Sequence, residues 1–325
     1  MVYVGENWQP TGSYGMGAAA ADFDNDGWPD IYVACDSAPS LLYRNNHDGT
    51  FREVAVPAGC AFDGNGAALG AMGVGVGDYD ADGWLDIVRT NFSEQVPTLY
   101  RNFGSGFEDA SLRGGLGITR KYVGFGVGFL DFDNDGWLDI LMANGHVYSQ
   151  IEDRKLHVTY REPKLLYRNL GNRRFEDVSA KGGKAILAES LGRGCAFGDF
   201  DNDGDVDVVV NNLDGPPTLL RNDGGNANHS ILVKCVGTRS NRSAIGTRVG
   251  LTCGEHRQIA EVMSGSSYYS QNDLRLHFGL GRADRADAIE VAWPSGLKEA
   301  FRDLPADHLF VIEEAKGIVS RRPFG

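Results

Sequence analysis

The chain has 325 residues, 42% of them hydrophobic and 23% charged, a globular composition with length enough for two or three domains. Its formal net charge of −13 argues against nucleic acid and anionic membrane as partners, and no apolar run reaches membrane-spanning length. Glycine, at 44 residues, is about twice as frequent as usual and favours turns and short strands over long helices.

The opening MVYVGENWQPTGSYG lacks the basic and apolar regions of a signal peptide. A block of alternating aspartates follows, DFDNDGWPD at 22–30, and returns as DYDADGWLD (78–86), DFDNDGWLD (131–139) and DFDNDGDVD (199–207). Each block is preceded by a glycine-studded apolar segment (GMGAAAA, GVGVG, GFGVGFL, GRGCAFG) and followed by an apolar run. Next comes LLYRN, TLYRN, LLYRN or TLLRN, and in three copies FREV, FEDA or FEDV. Short strands separated by Gly/Asn/Asp turns in units of this length form the pattern of a β-propeller blade. The first aspartates stand 56, 53 and 68 residues apart. The longer interval marks an insertion over Gly145–Lys164, expected to project as a loop from one face. The chain starts 21 residues before the first block, which fits a cut at a module boundary, so a fragment of a longer array is expected.

After residue 228 the aspartate blocks stop. Alternating segments such as SILVKCV, RVGLTC, AIEVAW and HLFVIEE predict a second, sandwich-like all-β domain. The expected organisation is all-β: a propeller-like array over 1–225, a smaller domain over 226–315, and a loose basic tail over 316–325.

An EF-hand would need a bidentate Glu at position 12 and flanking helices. Position 12 is Val33, Arg89, Met142 and Val210, and the flanks read as strands. What remains is D-x-D-x-D-G-x-x-D, in which the glycine at position 6 permits a sharp turn at positive φ. The candidate metal ligands are Asp22, Asp24, Asp26 and Asp30; Asp78, Asp80, Asp82 and Asp86; Asp131, Asp133, Asp135 and Asp139; and Asp199, Asp201, Asp203 and Asp207. The backbone carbonyl of position 7 (Trp28, Trp84, Trp137 and Asp205) is expected to add a ligand. Hard oxygens on a flexible turn suit Ca²⁺. Asp, Asn and Gly also make good turns without an ion, but packed carboxylates in four identical frames repel unless a cation joins them. About four ions are expected, and they would carry the formal charge from −13 to −5.

These blocks resemble FG-GAP/VCBS repeats, and VKCVGTRSNRSAIGTRV, SGSSYYSQNDLRLHFGLG and IEVAWPSG resemble the ASPIC/UnbV domain. The pair is similar to the cartilage acidic protein family and its bacterial relatives. The resemblance implies an integrin-type propeller with calcium in the blade hairpins, a secreted protein, and an adhesion- or matrix-like role toward an extracellular protein or glycan. It implies no established catalysis. Asp205, where the other blocks have Trp, departs from the pattern.

Other candidates are weaker. No HExxH or GxSxG arrangement is present. Calcium-ligand carboxylates make poor acid–base catalysts, so a polysaccharide-processing enzyme on a propeller scaffold is the alternative reading. His146 and Tyr148 at the mouth of the insertion read as a ligand contact or a loop anchor. Tyr268, Tyr269, Gln271 and Arg275 read as a carbohydrate or protein contact, or as a buried aromatic strand pair. Cys35, Cys60, Cys195, Cys235 and Cys253 show no metal spacing, and Cys235 and Cys253 are candidates to bridge neighbouring strands. Asn91, Asn228 and Asn241 match glycosylation acceptors.

Overall fold

The computed structural model describes residues 13–154 and 158–325. The expectation about a signal peptide falls mostly on residues 1–12, and part of the insertion is 155–157; both lie outside the described residues.

Three four-stranded antiparallel meanders follow one another. Blade 1 is β1 (Tyr14–Ala21), β2 (Asp30–Asp36), β3 (Leu41–Asn45) and β4 (Phe51–Glu53). Blade 2 is β5 (Val74–Gly77), β6 (Asp86–Arg89), β7 (Thr98–Asn102) and β8 (Phe107–Asp109). Blade 3 is β9 (Gly124–Leu130), β10 (Asp139–Asn144), β11 (Leu165–Asn169) and β12 (Phe175–Asp177). Blade 4 has three strands, β13 (Gly192–Gly198), β14 (Asp207–Asn212) and β15 (Thr218–Leu220), where the sequence lacks the fourth motif. Every Asp block joins the first strand of its blade to the second, so all four loops sit at the same end of their sheets.

The inner strands β1, β5, β9 and β13 pack in succession, and their glycines are required by close backbone approach. A Cβ at Gly73 would lie 1.9 Å from the Phe125 carbonyl, and one at Gly126 would lie 2.4 Å from that of Arg193. In three of the four YRN or LRN motifs the asparagine ties neighbouring blades. Asn102 Nδ2 donates to the Phe23 carbonyl (2.7 Å), Asn169 to that of Tyr79 (2.8 Å) and Asn222 to that of Phe132 (2.7 Å). Side-chain amides thus satisfy carbonyls at the blade seams that have no strand partner there.

The second domain is a sandwich of two four-stranded sheets. One contains β16 (His229–Val236), β19 (Leu276–Gly281), β22 (His308–Glu313) and β23 (Gly317–Pro323) in the order β19-β16-β22-β23. The other contains β17 (Arg248–Cys253), β18 (His256–Glu261), β20 (Arg285–Ala292) and β21 (Lys298–Pro305) in the order β18-β17-β20-β21. Phe278, Phe310, Trp293, Ile231 and Val249 fill the core between them. The basic tail expected over 316–325 is instead largely strand β23, whose backbone pairs with β22 from His308↔Pro323 to Glu313↔Gly317. Cys235 and Cys253 are not bridged: they belong to β16 and β17 in different sheets, and all five thiols are free.

Candidate metal centre

The four loops share one wiring. The first aspartate accepts from the backbone N–H of positions 5 and 6: Asp26 and Gly27 onto Asp22, Asp82 and Gly83 onto Asp78, Asp135 and Gly136 onto Asp131, Asp203 and Gly204 onto Asp199, all at 2.8–3.2 Å. The fifth position accepts from the N–H of position 7 (Trp28, Trp84, Trp137 or Asp205). The ninth aspartate accepts from the motif asparagine, at 2.7–2.8 Å in every blade (Asn45, Asn102, Asn169, Asn222). Position 6 is glycine at φ +90 to +95, as the sharp turn requires. Position 4 (Asn25, Ala81, Asn134, Asn202) is also left-handed, at φ +52 to +63.

The structure brings three carboxylates of each loop within 4.8 Å of one another: Asp22, Asp24 and Asp26; Asp78, Asp80 and Asp86; Asp131, Asp133 and Asp139; Asp199, Asp201 and Asp203. Asp30, Asp82, Asp135 and Asp207 lie in the same loops outside those tightest groups. Burial pushes the carboxyls of Asp30 and Asp78 up to about 7 and those of Asp86, Asp131 and Asp139 well above the usual range.

Arginines of the YRN motif face three of the clusters, a role that sequence reasoning missed although the residue recurs with the motif. Arg44 lies 3.1 Å from Asp24, Arg101 lies 2.6 Å from Asp80, and Arg168 lies 2.7 Å from Asp133. They do not complete the sites. Among the described residues, Oδ1 of Asp24, Asp80 and Asp133 and Oδ2 of Asp30 are buried without a hydrogen-bond partner. Orphaned carboxylate oxygens of this kind are costly unless a cation takes them, so the first three loops fit a hard divalent ion. The fourth differs. Arg221 pairs with Asp223 instead, Asn226 donates to Asp203, and the orphaned oxygen is Oδ1 of Asp205.

The second domain lies on all four loops. Asp22 N–H donates to Glu261 (3.1 Å), and Arg248 Nη2 to the Gly83 carbonyl (2.7 Å). His256 Nε2 lies 2.8 Å from the Gly136 carbonyl, and Ser230 donates to the Gly204 carbonyl at 2.6 Å. Arg275, a candidate ligand contact, is a clasp of this interface and donates to Asn202 Oδ1 at 2.7 Å.

A finger of the same domain, 264–271, passes between the inner strands. Ser267 exchanges backbone hydrogen bonds with Val74 (2.7 and 3.0 Å), and its hydroxyl accepts from Val127 (3.0 Å) and Cys195 (3.2 Å). Gln271 accepts from Gly265 N–H and braces the finger's base. Tyr268 and Tyr269 are not a strand pair. They form a turn beyond the far ends of the inner strands, where Tyr268 packs on Phe125 and Tyr269 is 82% exposed at φ +47. His146 is buried and anchors the insertion, accepting from Tyr148 N–H at 3.0 Å, while Tyr148 is 60% exposed. Arg193 links the two segments, stacking 3.9 Å over Phe125 and donating to the Gly145 carbonyl. Asn91 is buried and donates to the Val96 carbonyl and Thr98, so it is no glycosylation acceptor.

Models of the FG-GAP-like repeat match residues 22–89, 78–142 and 156–210, and the ASPIC and UnbV model matches 237–319. The chain belongs to the FG-GAP-like repeat family and carries an ASPIC/UnbV domain. It is similar to cartilage acidic protein 1 of Homo sapiens (29% identity over 292 residues, 87% of this chain and 41% of that protein). The Mus musculus protein is 28% identical over 87% of this chain and 42% of its own length. The chain therefore spans well under half the length of these relatives. Among solved structures, an exotype rhamnogalacturonan lyase aligns over 98% of this chain and 59% of its own at 14% identity and TM-score 0.38. A lectin of Agrocybe aegerita aligns over 65% and 55% at 19% identity and TM-score 0.34. Neither likeness bears on function. Among the described residues no helix is long and apolar enough to cross a membrane.

Proposed function

We propose that this chain is part of a secreted recognition protein whose propeller-like array is held by calcium and which binds an extracellular protein or glycan. The orphaned oxygens of Asp24, Asp80 and Asp133 carry the calcium reading. Ion binding there neutralises carboxylates that burial otherwise penalises. The sixteen aspartates of the loops, with the position-7 carbonyls of Trp28, Trp84, Trp137 and Asp205, are the proposed ligand set. Recognition belongs to the opposite end of the sheets, where Tyr148 and Tyr269 are exposed around Arg193. Aromatic faces beside a guanidinium suit protein or sugar surfaces.

The reading is non-catalytic, since the clustered carboxylates are engaged by loop amides and arginines. Its test is isothermal titration with Ca²⁺, followed by a screen of immobilised polysaccharides and matrix proteins. About four ions, and retention weakened in Tyr269→Ala and Tyr148→Ala, are expected. Absence of calcium binding would overturn the metal reading. Reproducible bond cleavage in the screen would favour the enzyme instead.

A further inference from the structure

Arg89 is the one residue of its kind at its place in the repeat. The equivalent positions of the other modules hold Val33, Met142 and Val210, so the blade core accepts an apolar side chain there. Arg89 is nevertheless fully buried between the first two blades. Its Nη1 donates to Ser40 Oγ and lies 3.5 Å from the Tyr32 hydroxyl, and its guanidinium stands 5.1 Å from the Tyr100 ring centroid. Among the described residues Nε and Nη2 have no hydrogen-bond partner, and no carboxylate makes an ion pair with the guanidinium. The phenols and the thiol around it are neutral, burial pushing Tyr32 and Cys60 up to about 12 and Tyr100 higher, while the Asp109 carboxylate favours its charge through space without an ion pair.

A buried cation with two idle donors and no ion-pair partner is strongly unfavourable. Water would satisfy the N–H groups but leave the charge uncompensated. An anion does both. We propose that Arg89 holds a small monovalent anion, chloride in a saline medium, between blades 1 and 2. Tyr32 and Ser40 come from the first blade and Arg89 and Tyr100 from the second, so the ion links the pair.

The test is thermal unfolding of the full chain at fixed calcium and ionic strength, with chloride or bromide replacing gluconate. The melting temperature is expected to rise by about 2–4 °C for each tenfold excess of halide over its dissociation constant. Arg89→Met, which copies the third module, is expected to lose this response and to melt no lower than the wild type in gluconate. Equal melting of the wild type in halide and gluconate, or a full response retained in the variant, would overturn the proposal. Should the variant fail to fold, bromide-soaked wild-type crystals decide: an anomalous peak within hydrogen-bond distance of Nε or Nη2 supports the site, and none there refutes it.

Discussion

The backbone N–H of Asp22 donates to the carboxylate of Glu261 at 3.1 Å across 239 residues of sequence. The first residue of the first Asp loop is thereby held by the last residue of β18. Similar bonds reach the other three loops, so the ASPIC/UnbV domain is seated on the end of the array where the carboxylate clusters lie. With the Ser267 finger between the inner strands, the two domains share hydrogen bonds that neither satisfies alone.

Gly279 tests this seating. A Cβ there would lie 2.0 Å from Asp131 Oδ2 and 2.7 Å from the Asn134 backbone. Gly279→Ala is expected to cost about 1–3 kcal/mol through forced separation at the third loop. Calorimetry of the wild type should show one transition, whereas the variant should melt lower or in two steps. An unchanged single transition in the variant would show that the domains do not depend on this contact.

Chelation and pH act on the same carboxylates with opposite signs. Burial raises the folded-state pKa of Asp30 and Asp78 to about 7. Without ion, their stabilising contribution is full below the unfolded value of 3.8 and is lost as pH rises through about 7. In EDTA, the melting temperature should therefore rise as pH falls from 8 toward 5. Calcium needs the ionised form, so the increment it adds should shrink over the same interval. Fluorescence-monitored melts with and without calcium check both slopes; an increment independent of pH would count against carboxylate ligation.

The four modules and their Asp loops were legible because repetition separates a shared loop frame from ordinary turn chemistry. The glycine at position 6 followed directly from the sequence. Less could be read in the YRN motif. Its arginine and asparagine recur visibly, but Arg168 acts on the Asp loop of its own blade, at Asp133, and Asn169 on the neighbouring blade, at Tyr79. The domain docking was invisible, since Asp22–Glu261 and Ser267–Val74 join residues with no shared periodicity. Strand β23 was missed because its charged, exposed alternation reads as a tail until β22 supplies a partner.

Asn169 is the seam between blades 2 and 3. Its Nδ2 donates to the Tyr79 carbonyl at 2.8 Å and to that of Leu138 at 2.9 Å, and the residue is buried. Asn169→Ala leaves two buried acceptors short of a donor and is expected to cost about 1–3 kcal/mol. Asn45 donates its Nδ2 to Pro29 of its own loop and has no such seam among the described residues, so Asn45→Ala should cost less. Urea unfolding of both variants measures the difference, and equal losses would argue against the seam.

Glu314 supplies a pH response of the opposite sense. Its burial works against the charge. The Ser295 hydroxyl and the backbone N–H groups of Ser240, Thr238 and Arg239 outweigh it and draw the carboxyl down to about 2. Three consecutive amides reach Oε2 at 2.7–2.8 Å, an anion nest that pins the loop after β16 to the end of β22. With the folded pKa depressed, the stabilisation is present above the unfolded value of about 4.5 and is lost as pH falls toward 2. Glu314→Gln places an amide N–H₂ where donors already converge. It should lower the melting temperature at pH 7 and flatten the acid limb of the stability curve. An acid limb as steep in the variant as in the wild type would assign that loss to other carboxylates.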